Sequence, residues 1–244
     1  MIISKRLRIF AWPNGSGKST LINIVKSHGI DMGIYVNADE IKVDLDNNKV
    51  LDFNKYGILT TQSELNDSII KTTFFDKELK NVVLENTHIE SNKLHYKINH
   101  IYDYLSAFLA DFIRVKLLQA SVKFTFETVM SHPSKIDFIK TARNSGYKTY
   151  LYFVSLEYPE LNKERVKARV KLKGHSVPEE KIESRYYKTM DLLYDMLKVV
   201  DKAFFFDNSG SKSVYFARLE NSEIIFENPD QIPEWFHKYV LSKI

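Results

Sequence analysis

The residues with the clearest chemical purpose form the run Trp12-Pro13-Asn14-Gly15-Ser16-Gly17-Lys18-Ser19-Thr20. Binding a chain of phosphates takes backbone N–H donors turned inward, the positive end of a helix and a cation, and this run can supply all three. Gly15 and Gly17 provide permissive backbone and Lys18 the cation, with Asn14, Ser16 and Thr20 completing the loop. Ser19 is the residue that would place a hydroxyl on Mg²⁺. The plainer reading is a glycine turn that joins a strand to a helix. The pattern G-x-x-x-x-G-K-[ST] is met except at its first position, where Trp12 replaces glycine. A large side chain there is tolerated if its backbone stays extended; otherwise it crowds the nucleotide.

Three further positions carry chemistry. Asp39, in Asn37-Ala38-Asp39-Glu40, follows a short strand and is a candidate general base toward a substrate hydroxyl; the alternative is an N-cap for the next helix. Glu127 ends a buried strand, a position from which a carboxylate reaches a Mg²⁺ water, or from which it simply faces solvent. Arg165 and Arg169 stand one helical turn apart and either clamp a transferring phosphoryl group or form a solvated basic face beside Glu164. The seven histidines show no metal-ligand spacing, so His95 and His100 read as ordinary helix residues and no structural metal is expected.

The elements that must position these groups alternate. Arg6 to Trp12 reads as a strand, Ser19 to Ser27 as a helix and Gly33 to Asn37 as a second strand. Asp44 to Leu94 shows no clear period and is treated as an insertion or substrate-side region. From Leu94, apolar residues at three- and four-residue spacing predict one long helix, followed by a buried strand over Val122 to Thr128. Pro133 to Asn144 reads as helix and Tyr147 to Ser155 as strand. Helices are expected over Leu161 to Lys173, stopped by Gly174, and over Ile182 to Leu197, opened by a Ser176 to Glu179 capping box. Ala203 to Asp207 completes the strands, before a hairpin of Val214 to Leu219 with Glu223 to Phe226 and a closing helix over Ile232 to Leu241. The expected fold is α/β, a mostly parallel sheet of P-loop type flanked by helices, with a helical insertion after the second strand. One domain over 1–244, with the insertion at about 44–94, is the expected organisation.

The chain of 244 residues has a net charge of +4 with both signs interspersed, so nucleic-acid binding is not implied. It has no cysteine, which excludes disulfides and thiol catalysis and fits a reducing cytoplasm. Met1 to Arg6 leads straight into a strand, and no apolar run approaches membrane-spanning length; a soluble cytoplasmic protein with no membrane partner is expected.

In order along the chain, Pro13 to Thr20, Asn37 to Ile41, Phe126 to Ser131, Gly146-Tyr147 and Arg165-Val166 through Gly174 to Ile182 resemble the zeta-toxin-like family of P-loop kinases, especially its bacterial branch of predicted ATPases. The resemblance spans roughly residues 5–210 and leaves about 44–94 uncovered. It implies that Lys18 binds the β- and γ-phosphates of ATP or GTP, that Asp39 deprotonates the acceptor hydroxyl, that Glu127 helps organise Mg²⁺ and that the Arg169 region forms a lid. Toxins of this family phosphorylate UDP-N-acetylglucosamine and are held inactive by a small helical antitoxin that blocks the nucleotide site. Departures are Trp12, Lys173 in place of a glycine before Gly174-His175, and the long middle segment. Two other readings stay open: a non-catalytic module that serves a partner protein, and a kinase acting on a polynucleotide end.

Overall fold

The structure, a computed structural model, describes residues 5–172 and 177–244. Its elements run β1 (Arg6–Ala11), α1 (Lys18–Ser27), β2 (Ile34–Val36), α2 (Ala38–Asn48), β3 (Val50–Asp52), α3 (Gln62–Lys71), α4 (Lys77–Asn86), β4 (Thr87–Glu90) and β5 (Lys93–Tyr96). They continue with α5 (Asp103–Gln119), β6 (Phe124–Thr128), α6 (Ser134–Asn144), β7 (Lys148–Ser155), α7 (Pro159–Lys171), α8 (Glu179–Leu197), β8 (Lys202–Asp207), β9 (Val214–Glu220), β10 (Glu223–Phe226) and α9 (Glu234–Tyr239). The chain divides into two compact units, residues 1–32 with 127–244 and residues 33–126, the division falling within β6.

In the first unit, β1 pairs in parallel with β7 and β7 in parallel with β8, while β9 and β10 continue antiparallel. Strands buried on both faces require continuous apolar runs, which Leu7, Ile9, Phe10 and Ala11 provide in β1 and Leu151 to Val154 in β7, all buried. Each such large side chain taken from water contributes roughly 1.5–3 kcal/mol. In α8, Ile182, Tyr186, Met190, Leu193 and Leu197 recur at helical spacing and are buried. Trp235 of α9 is 1% exposed and packs on Phe153 and Phe216; its indole N–H donates to Asp207 Oδ1 at 3.0 Å.

The second unit holds the parallel pair β2–β6 and a separate antiparallel sheet in the order β3-β5-β4. Thus the 44–94 region adds a small sheet to the helices α3 and α4. The long helix expected from Leu94 is corrected: it starts at Asp103, because Leu94 and Tyr96 are buried alternately in β5, and two-residue alternation belongs to a strand. His95 accordingly lies in β5 and His100 in the segment before α5, neither on a helix. The closing helix is short, with Pro233 at its N-cap. The strand-helix alternation and mostly parallel pairings give the expected α/β class. Gly174 as a helix stop, Ser176 as a capping residue, Lys173 and the 1–4 segment lie outside the described residues. Among the described residues no helix is long and apolar enough to cross a membrane.

Candidate phosphate-binding and phosphotransfer site

The loop after β1 is built from backbone outward. Gly15 and Gly17 have φ of 85° and 95°, a left-handed region that penalises any side chain. Space forbids one as well: a Cβ on Gly17 would meet Asn208 Nδ2 at 1.9 Å, and one on Gly15 would meet the carbonyl oxygen of Asn162 at 2.7 Å. Gly17 is the N-cap of α1 but offers no side-chain cap, and no acidic residue occupies the first turn. With no side-chain cap on Gly17, the positive end of α1 and the ammonium of Lys18 make a helix end suited to an anion. These features fit a polyphosphate. Ser19 and Thr20 are exposed on this turn, so the Ser19 hydroxyl is accessible to a cation.

Two amide side chains that sequence reasoning missed hold the loop in shape. Asn162 of α7, fully buried, donates through Nδ2 to the Asn14 carbonyl at 2.6 Å and to Ser16 Oγ at 3.0 Å. Asn208, just after β8, donates to the Ser16 carbonyl at 2.9 Å. Its own turn is pinned, since the Ser209 hydroxyl donates to Asp207 Oδ1 at 2.8 Å and accepts from the Glu157 N–H at 2.9 Å. Arg165 Nη2 donates to the Asn208 carbonyl at 2.6 Å. The structure thus brings Arg165 to the loop as part of its scaffold, whereas Arg169 is exposed in the last turn of α7. The bland pairing of this face with Glu164 is replaced, for Arg165, by the carbonyl contact.

Lys18 and Glu127 are brought together: Nζ lies 2.8 Å from Oε2, with the glutamate side chain 7% exposed and the lysine 28%. Burial pushes the Glu127 carboxyl above its ordinary range, and the attraction of Lys18 only partly offsets this. Glu127 therefore faces inward rather than into solvent. The same ammonium sits 5.7 Å from the centroid of the Trp12 ring, within cation–π range. Trp12 is 7% exposed and its backbone N–H donates to the Thr128 carbonyl at 3.3 Å. After β6, Met130 adopts a φ of 56°; Thr128 Oγ1 accepts from its N–H, and Thr189 of α8 donates to the Val129 carbonyl at 2.6 Å. Thr189 is a further support that its own neighbours in sequence do not announce.

Asp39 belongs to the second unit. It is not the cap of α2: Asn37 holds that position and its Oδ1 accepts from the Asp39 N–H at 2.8 Å. Asp39 is exposed in the first turn of α2, so its carboxylate is not consumed by capping.

The sequence profile of the zeta toxin family matches residues 97–220. This chain belongs to the zeta toxin family. The matched segment of this zeta toxin family member contains Glu127, Asn162, Arg165 and Asn208, while the loop from Pro13 to Thr20 and Asp39 lie before it. The fold is similar to that of the AvrRxo1-ORF1:AvrRxo1-ORF2 complex with sulphate ions, at 14% identity over 97% of this chain and 63% of that one, with a TM-score of 0.55. It is equally similar to the same complex with ATP, at 16% identity over 98% of this chain and 64% of that one, TM-score 0.54. A curated relative, an uncharacterized protein of Haemophilus influenzae, is 33% identical over 69 residues, 28% of this chain and 49% of the relative. The zeta toxin family member thus spans less than two thirds of each of these proteins.

Proposed function

We propose that this zeta toxin family member is a phosphotransferase that moves the γ-phosphoryl group of ATP or GTP to a hydroxyl of a small molecule. The observation that carries the reading is the loop of Gly15 to Ser19, whose left-handed glycines and helix end without a side-chain cap sit beside the Lys18–Glu127 pair. In this reading the amides of Gly15 to Ser19 hold the phosphate chain and Lys18 neutralises its β- and γ-oxygens. Asn14, Ser16 and Thr20 complete the cradle. Asp39 takes the proton of the acceptor hydroxyl. Arg165 keeps the cradle in shape through Asn208, and Arg169 covers the nucleotide. Mg²⁺, when held by Ser19 and, through water, by Glu127, would supply further charge neutralisation to the phosphates. Positioning and charge account for most of the rate in such transfers.

The acceptor that family membership puts first is a nucleotide-sugar such as UDP-N-acetylglucosamine, and the partner it puts first is a small helical antitoxin, in the cytoplasm. The test is turnover of Mg-ATP and Mg-GTP with UDP-N-acetylglucosamine by the wild type, Lys18→Ala and Asp39→Asn. Loss of about 10²–10³-fold in Lys18→Ala is expected from removal of one charge-stabilising group. Equal rates in all three would remove the mechanism.

Trp12 supports a second reading, a non-catalytic module, because its ring already engages the Lys18 ammonium. Titration with Mg-ATP separates the two. A large gain of affinity in Trp12→Gly over wild type favours the blocked site, and comparable affinities favour the enzyme.

A further inference from the structure

Each carbonyl of the phosphate loop that accepts a hydrogen bond fixes the direction of the N–H that follows it. A peptide unit is planar, and no peptide bond among the described residues is cis, so the N–H points opposite to the C=O of the same unit. The Pro13 carbonyl accepts from the Ser16 N–H and the Gly17 carbonyl from the Leu21 N–H, both at 3.2 Å, bonds local to the loop and its helix. The Asn14 and Ser16 carbonyls accept instead from remote side chains, Asn162 Nδ2 at 2.6 Å and Asn208 Nδ2 at 2.9 Å. Asn162 therefore turns the Gly15 N–H to the side opposite itself, and Asn208 does the same to the Gly17 N–H.

The amide of Asn162 serves donation rather than packing. It is fully buried, yet its Oδ1 has no hydrogen-bond partner among the described residues. A buried acceptor left unpaired costs free energy, so an apolar side chain of the same size would suit the interior better. Such a side chain could not hold the Asn14 carbonyl and Ser16 Oγ, the two acceptors of Nδ2. Asn208 is itself held, its carbonyl accepting from Arg165 Nη2 at 2.6 Å and its backbone N–H donating to the Ser155 carbonyl at 3.0 Å. The two amides converge on the fully buried Ser16, one at its hydroxyl and the other at its carbonyl.

Resting on the reading of this loop as the phosphate cradle, we infer that Asn162 and Asn208 are positioning residues that act as one clamp on Ser16 and aim the Gly15 and Gly17 N–H groups at the phosphate chain. The clamp raises affinity by holding those donors in place before the ligand arrives, so that binding does not have to order the loop. Its effect falls on the phosphates and not on the base or sugar of a nucleotide.

The test is calorimetric titration of Mg-ATP, and of magnesium tripolyphosphate, which carries no base or sugar, into the full chain and its variants. Asn162→Leu and Asn208→Leu keep the approximate size of the side chain and remove the donor. Asn162→Ala and Asn208→Ala are titrated beside them, so that a misfit of leucine is not mistaken for loss of aim. Each single loss is expected to weaken both ligands by the same factor, about ten- to a hundredfold, the range for a hydrogen bond to a charged group. The double variant is expected to fall short of the product of the single effects, because either loss already frees Ser16. Urea midpoints of the same proteins separate aim from folding, since a role confined to stability lowers the midpoint and leaves the affinity of the folded protein unchanged. A weakening confined to Mg-ATP, a double variant equal to the product, or variants that bind as a binding-competent wild type does overturns the clamp. A wild type that binds neither ligand is a different result and overturns the phosphotransferase reading on which the clamp rests.

Discussion

The loop between β1 and α1 and the cavity beside α2 are built by opposite means. In the first, backbone does the work: Gly15 and Gly17 take conformations closed to other residues, and Asn162 and Asn208 lock the surrounding carbonyls from distant parts of the chain. In the second, side chains form the lining: Asp39, Glu40 and Asp44, the tyrosines Tyr35 and Tyr56, and Lys55, which pairs with Asp44. Backbone N–H groups suit phosphate whatever it is attached to, so the loop is generic. Side chains vary without disturbing the fold, so under the proposed function the residues of the second region, rather than the loop, are expected to differ with the acceptor. A family that keeps its donor and changes its acceptor is expected to hold the first region and alter the second.

The contrast is broken most sharply by Asp39→Asn. It is expected to lower turnover about 10²–10⁴-fold, the range of general base catalysis, while Mg-ATP binds as in wild type. Steady-state rates beside calorimetric titration check this, and a parallel loss of nucleotide binding would contradict the separation. Gly17→Ala is the reciprocal case. A Cβ there drives against Asn208 in a left-handed conformation, with an expected cost of about 1–3 kcal/mol in urea unfolding and loss of nucleotide binding. Asn37→Ala removes the cap of α2 and is expected to cost about 1 kcal/mol of stability. Asp39→Asn leaves that cap in place, so equal destabilisation by both variants would show that Asp39 is structural.

The smallest effect concerns pH. Because burial raises the Glu127 carboxyl, the folded state holds its proton more tightly than the unfolded chain does. Stability from this group is therefore greatest at low pH, declines as pH rises from the usual carboxylate range through the raised value, and is flat above it. Lys18 opposes the rise, so Lys18→Met is expected to deepen the decline and extend it to higher pH. Urea midpoints measured across that range for both proteins decide the point. A shallower decline in the variant would mean that the pair does not form.

What was legible in the sequence follows the same division. The phosphate loop announced itself because its requirements are local: glycines where φ is positive and a lysine at the helix start. The order of strands and helices in the first unit was legible because buried strands read as apolar runs. Asn162 and Asn208 were not legible, since they reach the loop from 148 and 192 residues away and a lone asparagine has no local signature. Arg165 was picked out by charge, but its contact with a carbonyl follows only from the turn after β8. Around α2 the sequence offers Asp39 as one candidate for the cap, whereas Asn37, two residues earlier, takes it. The cavity's Tyr56 lies in a stretch with no period, where three short strands and two helices interrupt one another.

The proposed function requires that Gly15 to Ser19 and Lys18 wrap a triphosphate with Trp12 beside them. Calorimetric titration of Mg-ATP into wild type, Gly17→Ala and Lys18→Ala tests it directly. Saturable one-site binding by the wild type is expected, and both substitutions are expected to abolish it or weaken it at least about tenfold, the equivalent of 1.4 kcal/mol. A wild type that binds nothing, or three proteins that bind alike, would contradict it.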